Sequence, residues 1–151
     1  MAGATRRRVL LSALAGPVLF ASENRFKEPS VFPDFEGRAI QRVDESSELS
    51  PHEREHIIEI EIPETVKVGE PFQARISMPH HPKSGSHHIM WMRVFVDKQM
   101  VSYMTFAPKW VRPATALTLE LPPAGRIEVL AECNLHAIWG KALPLDFDFE
   151  S

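Results

Sequence analysis

The chemistry open to this chain rests on seven histidines and one cysteine. All the histidines lie between His52 and His136, and Cys133 stands just before the last of them. His80-His81-Pro82 and His87-His88 flank the loop Lys83-Ser84-Gly85-Ser86, and His56 precedes His81 by 25 residues. Cys133-Asn134-Leu135-His136 closes the set. Imidazole suits iron, copper, zinc or nickel, and a thiolate adds a strong, polarizable donor. A lone thiol cannot form an intramolecular disulfide and is ordinarily a small buried core residue. A histidine pair alone is often surface decoration, and Cys-x-x-His arises by chance. Together, at these spacings, they argue for one metal centre.

The elements that must position these groups read as strands. Ile58, Ile60 and Ile62 alternate with Glu59 and Glu61, and Phe72, Ala74, Ile76 and Met78 alternate with Gln73, Arg75 and Ser77. Residues 88–96 form a long apolar run whose hairpin partner is 100–106. Leu117, Leu119 and Leu121 alternate, as do Ile127, Val129 and Ala131, although Leu130 breaks that pattern; Leu145, Phe147 and Phe149 follow. About seven short strands of period two, with no competing helical period after residue 22, predict an all-β fold. The architecture expected is an immunoglobulin-like antiparallel β-sandwich. The histidines and Cys133 fall at strand ends, and termini at one end of a sandwich converge in space.

Composition narrows the function. The chain has 151 residues, 44% hydrophobic and 25% charged, with a formal charge of −3. That balance suits one globular domain and carries no basic stripe for nucleic acid. Thr5-Arg6-Arg7-Arg8-Val9-Leu10 followed by an apolar stretch to Ala21 resembles a twin-arginine export signal and is too short for a bilayer span. The expected division is a twin-arginine-like signal segment 1–21, an extended linker or arm 22–52, and a metal-binding β-sandwich domain 53–151. The expected location is the periplasm, with no stable membrane span.

The spacing of His56, His81-Pro82, His87-His88 and Cys133-Asn134-Leu135-His136-Ala137-Ile138-Trp139 resembles the superoxide reductase family, the neelaredoxins and the iron domain of desulfoferrodoxins. The likeness spans residues 53–149. It implies one iron per chain, with His56, His81, His87 and His136 around it and Cys133 as axial ligand. It also implies one-electron reduction of superoxide to hydrogen peroxide. An external donor, rubredoxin-like or another small redox protein, would restore the ferrous state, and a homo-oligomer is compatible with the family. His80 and His88 are expected as neighbours, His52 as a linker residue, and Trp91 and Trp139 as packing around the site.

Two positions depart from the family pattern. The family carries Glu-Lys-His at the first ligand, with glutamate as a removable sixth ligand, whereas this chain has Glu53-Arg54-Glu55-His56. Glu53 could swing in from one residue earlier, Arg54 could supply the missing cation, and Lys83 is a second cation for an anionic substrate. Ala137 replaces a glycine, at a cost if the backbone there requires positive φ. Two other readings compete. A copper electron-transfer site would want two histidines, a cysteine and an axial methionine; no methionine follows Cys133. A non-catalytic immunoglobulin-like module with structural zinc would want four ligands, whereas five candidates are present.

Overall fold

The alternation that begins at Ile58 resolves into two facing sheets. The computed structural model describes residues 18–20 and 34–148. In chain order the elements are β1 (Val18–Phe20), β2 (Asp34–Phe35), β3 (Arg38–Gln41), α1 (Pro51–Glu55), β4 (Glu59–Pro63), β5 (Val66–Lys67), β6 (Phe72–Ser77), β7 (Ile89–Val96), β8 (Gln99–Thr105), β9 (Ala114–Leu119), β10 (Arg126–Cys133), β11 (Ile138–Pro144) and β12 (Phe147–Asp148). One sheet runs β1-β4-β6-β9 and the other β2-β3-β11-β10-β7-β8, while β5 pairs with β12. The pairings are antiparallel except β3 with β11 and β5 with β12. The fold is all-β. The twin-arginine run, Ala21 and Phe149 lie outside the described residues.

Period-two burial fills the space between the sheets. Ile58, Ile60, Ile62, Ala74, Ile76 and Met78 from one side meet Met92, Val94, Ile127, Val129, Ala131 and Leu143 from the other in one buried cluster. Removing such side chains from water supplies the main stabilisation, about 1.5–3 kcal/mol for each large one.

Leu130 breaks the alternation because the outer face of its sheet is also covered. It packs with Trp91, Phe95 and Ile138 in a second cluster, against Phe35 and Ile40 of the β2–β3 hairpin. The Phe35 ring lies 5.9 Å from that of Trp91 and 6.1 Å from that of Phe95, so the hairpin folds across this face. Ion pairs fasten the strap: Arg42 to the buried Glu128 at 2.7 Å, Arg38 to Glu132, and Lys141 to Glu45 at 2.9 Å. Part of the segment expected as an extended linker or arm is the β2–β3 hairpin lying on this face. Trp91 belongs to this outer cluster, not to the surroundings of the histidines, which corrects the expectation for that residue.

Strand β11 is a further correction. It lies between β3 and β10, and Ile138, Trp139, Gly140 and Lys141 are buried in succession, so period two is lost. Gly140 is needed there. A Cβ would stand 2.7 Å from Ile40 Cγ2 and 2.9 Å from Leu130 Cδ2.

The register places the chemistry. Glu59 pairs with Ser77, Cys133 with Ile89, and Glu132 with Ile138. The start of β4, the end of β6, the start of β7, the end of β10 and the start of β11 therefore share one end of the molecule. Each of those points borders a histidine or is Cys133.

Candidate metal centre

Helix α1 is one short turn, started by Pro51 and a capping box. Ser50 Oγ accepts from the Glu53 backbone N–H at 3.2 Å, while Glu53 Oε2 accepts from the Ser50 N–H at 2.8 Å. Such reciprocal caps satisfy donors that a helix start leaves open. The turn delivers His56 to the mouth of β4, where it is 1% exposed. His56 Nδ1 lies 2.7 Å from the His52 carbonyl. A carbonyl only accepts, so Nδ1 carries the proton and Nε2 keeps its lone pair. His81 repeats the arrangement, with Nδ1 donating to the Pro82 carbonyl at 2.7 Å. Fixing the tautomer and ring direction through the second nitrogen is typical of metal-ligating histidine.

The other donors come from two turns that brace each other. Ser84 Oγ accepts from the His87 N–H at 3.0 Å. Asn134 Oδ1 accepts from the His88 N–H at 2.8 Å, and its Nδ2 donates to the Ser86 carbonyl at 3.0 Å. A register shift between Glu132 and Cys133 skips Met90, leaving Cys133 opposite Ile89. Such bulges re-aim side chains at sheet rims. The turn 134–137 closes with the Cys133 N–H on the Ala137 carbonyl at 3.1 Å, and Ala137 has φ +61°. The expected cost of alanine at this position is therefore real.

Four imidazoles make a ring. Centroids lie 4.9 Å apart for His56–His81, 4.7 Å for His81–His87, 4.9 Å for His87–His136 and 5.2 Å for His136–His56, with 6.1 Å across from His56 to His87. Adjacent rings are inclined at 74–84°. Nε2 of His56, His81 and His87 is buried without a partner. Cys133 Sγ lies 3.6 Å from His136 Nδ1. Donor atoms of His56, His87, Cys133 and His136 all lie within 4.8 Å of one another, and His81 stands beside this group. With bonds of about 2.0–2.3 Å, opposite ligands of one ion sit about 4–4.5 Å apart. The donor set fits a single transition-metal ion.

The desulfoferrodoxin family model matches residues 48–142. This chain belongs to the desulfoferrodoxin family. The superoxide reductase (neelaredoxin) of Ignicoccus hospitalis is 28% identical, covering 72% of this chain and 95% of that one with a TM-score of 0.64. A Methanocaldococcus jannaschii protein, provisionally named a superoxide reductase, is 26% identical over 66% of this chain and 87% of its own length. A Thermotoga maritima protein of the same provisional name is 26% identical over 56% of this chain and 80% of its own.

The three charged candidates each have a place of their own in this structure. Glu53 is held in the capping box, and its Ser50 hydrogen bonds keep its carboxyl below the usual range. Arg54 is exposed on α1, and Lys83 Nζ donates to the Lys109 carbonyl at 2.6 Å. The cluster gathers none of the three. Glu55 lies close enough to act electrostatically on Cys133 and His136.

Two neighbours carry more than the sequence announced. His52, expected in the linker, sets its ring 4.4 Å from His136 and 4.7 Å from His56. Its signal was its place one helical turn before His56, where side chains share a face. Trp139 stacks on His56 at 4.3 Å with planes 16° apart, and its Nε1 donates to the His136 carbonyl at 2.6 Å. His80 is exposed, and His88 Nδ1 donates to the Ser84 carbonyl at 3.1 Å.

Electrostatics prepare the donors. Burial, partly offset by the carbonyl hydrogen bonds, lowers both His56 and His81 to about 4. Burial also lowers His136 and raises the Cys133 thiol. At neutral pH His56 and His81 are neutral and ready to donate. The thiol holds a proton that a metal must displace.

Proposed function

We propose that this chain is a superoxide reductase whose iron is held by His56, His81, His87, His136 and Cys133. The observation that carries the reading is the imidazole ring with three unpartnered Nε2 atoms beside a buried thiol, in a chain of the desulfoferrodoxin family. The four imidazoles and the Cys133 thiolate would hold an iron able to supply one electron to superoxide, and the thiolate would favour that transfer by donating charge. Superoxide with one electron and two protons becomes hydrogen peroxide, and no dioxygen is made.

The residues of the chain prepare this chemistry in separable ways. The His52 and Pro82 carbonyls lock two imidazoles with Nε2 as donor. Asn134 ties the loop that delivers His87 to the turn that carries His136, so the donors keep their spacing. Trp139 covers one face of His56 and excludes water from it. Lys83 and Lys109, on adjoining loops, favour approach of a small anion. With Glu53 retained by its cap, this chain works without a carboxylate from that position. The twin-arginine run is the basis for proposing that the protein acts after export to the periplasm.

The test is anaerobic rapid mixing of the iron-loaded ferrous protein with superoxide, counting peroxide and dioxygen. One peroxide per superoxide with no dioxygen is expected, and Cys133→Ser should abolish the reaction while the far-ultraviolet spectrum is retained. Dioxygen release at half the superoxide consumed would identify a dismutase, and native rates in Cys133→Ser would remove the thiolate from the mechanism.

A further inference from the structure

The end of the fold that gathers the histidines also carries a projecting turn that the metal cluster does not use. In the loop 106–113 the Ala107 carbonyl accepts from the Trp110 N–H at 3.4 Å and from the Val111 N–H at 3.1 Å. Lys109 has φ +71°, so the chain turns sharply there, between Pro108 and Pro113. The base of the turn is fastened to the loop that delivers His81 and His87. Lys83 Nζ donates to the Lys109 carbonyl at 2.6 Å, and the Lys109 N–H donates to the Lys83 carbonyl. The Lys109 side chain runs along Gly85, where a Cβ would stand 3.1 Å from its Cε. The tip is thus held out from the fold, with Trp110 84% exposed and Val111 43%. Leu135, on the turn that Asn134 joins to Ser86, adds an apolar side chain 58% exposed beside the same loop. Apolar groups gathered in the open mark a surface that meets something other than water.

Charge and shape together name the partner. Lys109 and Arg112 enclose Trp110-Val111, and residues 79–88 and 106–113 contain no aspartate or glutamate, although the chain as a whole is acidic. Three cations are few for nucleic acid, where a basic stripe is expected. A free small anion needs the charge but not the indole. A symmetric dimer through this turn would set Lys109 and Arg112 against their own copies, which is unfavourable. A protein interface seats its indole among further packed contacts, whereas Trp110 stands almost clear of the fold. An indole at a projecting tip, with aliphatic neighbours and flanking cations, suits the layers of a bilayer surface. The ring settles at headgroup level, and the lysine and arginine stems bury their methylenes while their charges meet phosphate.

We propose that the turn 106–113, with Lys83 and Leu135 beside it, seats this protein on the surface of a membrane containing anionic phospholipid. The attachment is peripheral: among the described residues no helix is long and apolar enough to cross a membrane. Trp110 enters the headgroup layer, and Lys83, Lys109 and Arg112 meet the lipid phosphates. The end of the fold that gathers the histidines then faces the lipid, and the acidic remainder of the chain faces away from it.

The test mixes the iron-loaded full chain with vesicles of phosphatidylglycerol or of phosphatidylcholine and reads tryptophan fluorescence. Trp91 and Trp139 are only 7% and 5% exposed, so a spectral change reports Trp110. Phosphatidylglycerol should shift the emission to the blue, and lipids brominated on their acyl chains should quench it. The affinity should exceed that for phosphatidylcholine on the order of a hundredfold, because each cation near an anionic surface contributes about fivefold. Binding should weaken as salt shortens the Debye length from about 10 Å toward 3 Å. Lys109→Glu should weaken it about thirtyfold, two charge units at that rate. Cosedimentation without a blue shift or quenching would assign the binding to residues 1–21, where Arg6, Arg7 and Arg8 precede an apolar stretch, and would overturn the proposal. Equal affinity for both lipids would overturn it too. So would a shift that grows with protein concentration in the absence of vesicles, which would make a second copy the occupant. A shift produced by soluble polyglutamate but not by vesicles would replace the membrane with an acidic polypeptide.

Discussion

Acidifying the metal-free protein should begin to destabilise it at a pH where its carboxylates are still ionised. His56 and His81 have folded pKa values of about 4, against an ordinary histidine value of 6.5. A depressed histidine binds its proton more readily in the unfolded chain, so its contribution to stability is full above pH 6.5 and is lost as pH falls toward 4. Each pKa unit is about 1.4 kcal/mol, so the pair costs about 3 kcal/mol apiece across this window. Between pH 6 and 4.5 the stability should fall by about 2–3 kcal/mol per pH unit. The total is comparable to the roughly 5–15 kcal/mol that holds a domain of this size together. His136, also lowered by burial, adds in the same direction. The assay is urea unfolding in the presence of a chelator at half-unit steps from pH 7 to 4. The double variant His56→Gln with His81→Gln should show less than half the slope. A wild-type slope below about 1 kcal/mol per pH unit, or an unchanged slope in the double variant, would refute the reasoning.

The other expectations are more local. Asn134→Ala removes the hydrogen bonds that join the two ligand turns and should weaken metal affinity about 10–100-fold in a chelator competition, with the fold retained. Ala137→Gly relieves a left-handed backbone that costs alanine about 1–2 kcal/mol, against a smaller entropic loss in the unfolded chain, so a modest rise in melting temperature is expected. Gly140→Ala drives a methyl into Ile40 and Leu130 and should destabilise by about 1–3 kcal/mol in thermal melts without changing metal affinity. Replacing Arg6 and Arg7 together by lysine should retain the protein in the cytoplasm on cell fractionation, and normal export would count against the twin-arginine reading.

Period two exposed the strands whose one face is buried and whose other face is polar, as in Ile58 to Ile62 and Phe72 to Met78. It failed wherever both faces are covered. Residues 138–144 lie in the middle of a sheet beneath the strap, and Leu130 breaks register for the same reason. The strap itself has two short, largely exposed strands, so no hydrophobic pattern marked it.

At the site, donor identities and spacing were present in the chain, because histidine, cysteine and the turn residues between them are local facts. Their convergence was implied by strand-end positions, which alternate direction in an antiparallel sheet. Side-chain commitments were not legible. Whether Glu53 faces a metal or caps a helix depends on a reciprocal bond with Ser50, and the place of Trp91 depends on which face the bulged strand turns inward. Sequence alone therefore determined the donor residues, their spacing and most of the strands that carry them. Tertiary structure decided which neighbours surround it, because burial and hydrogen-bond partners are set by segments remote along the chain.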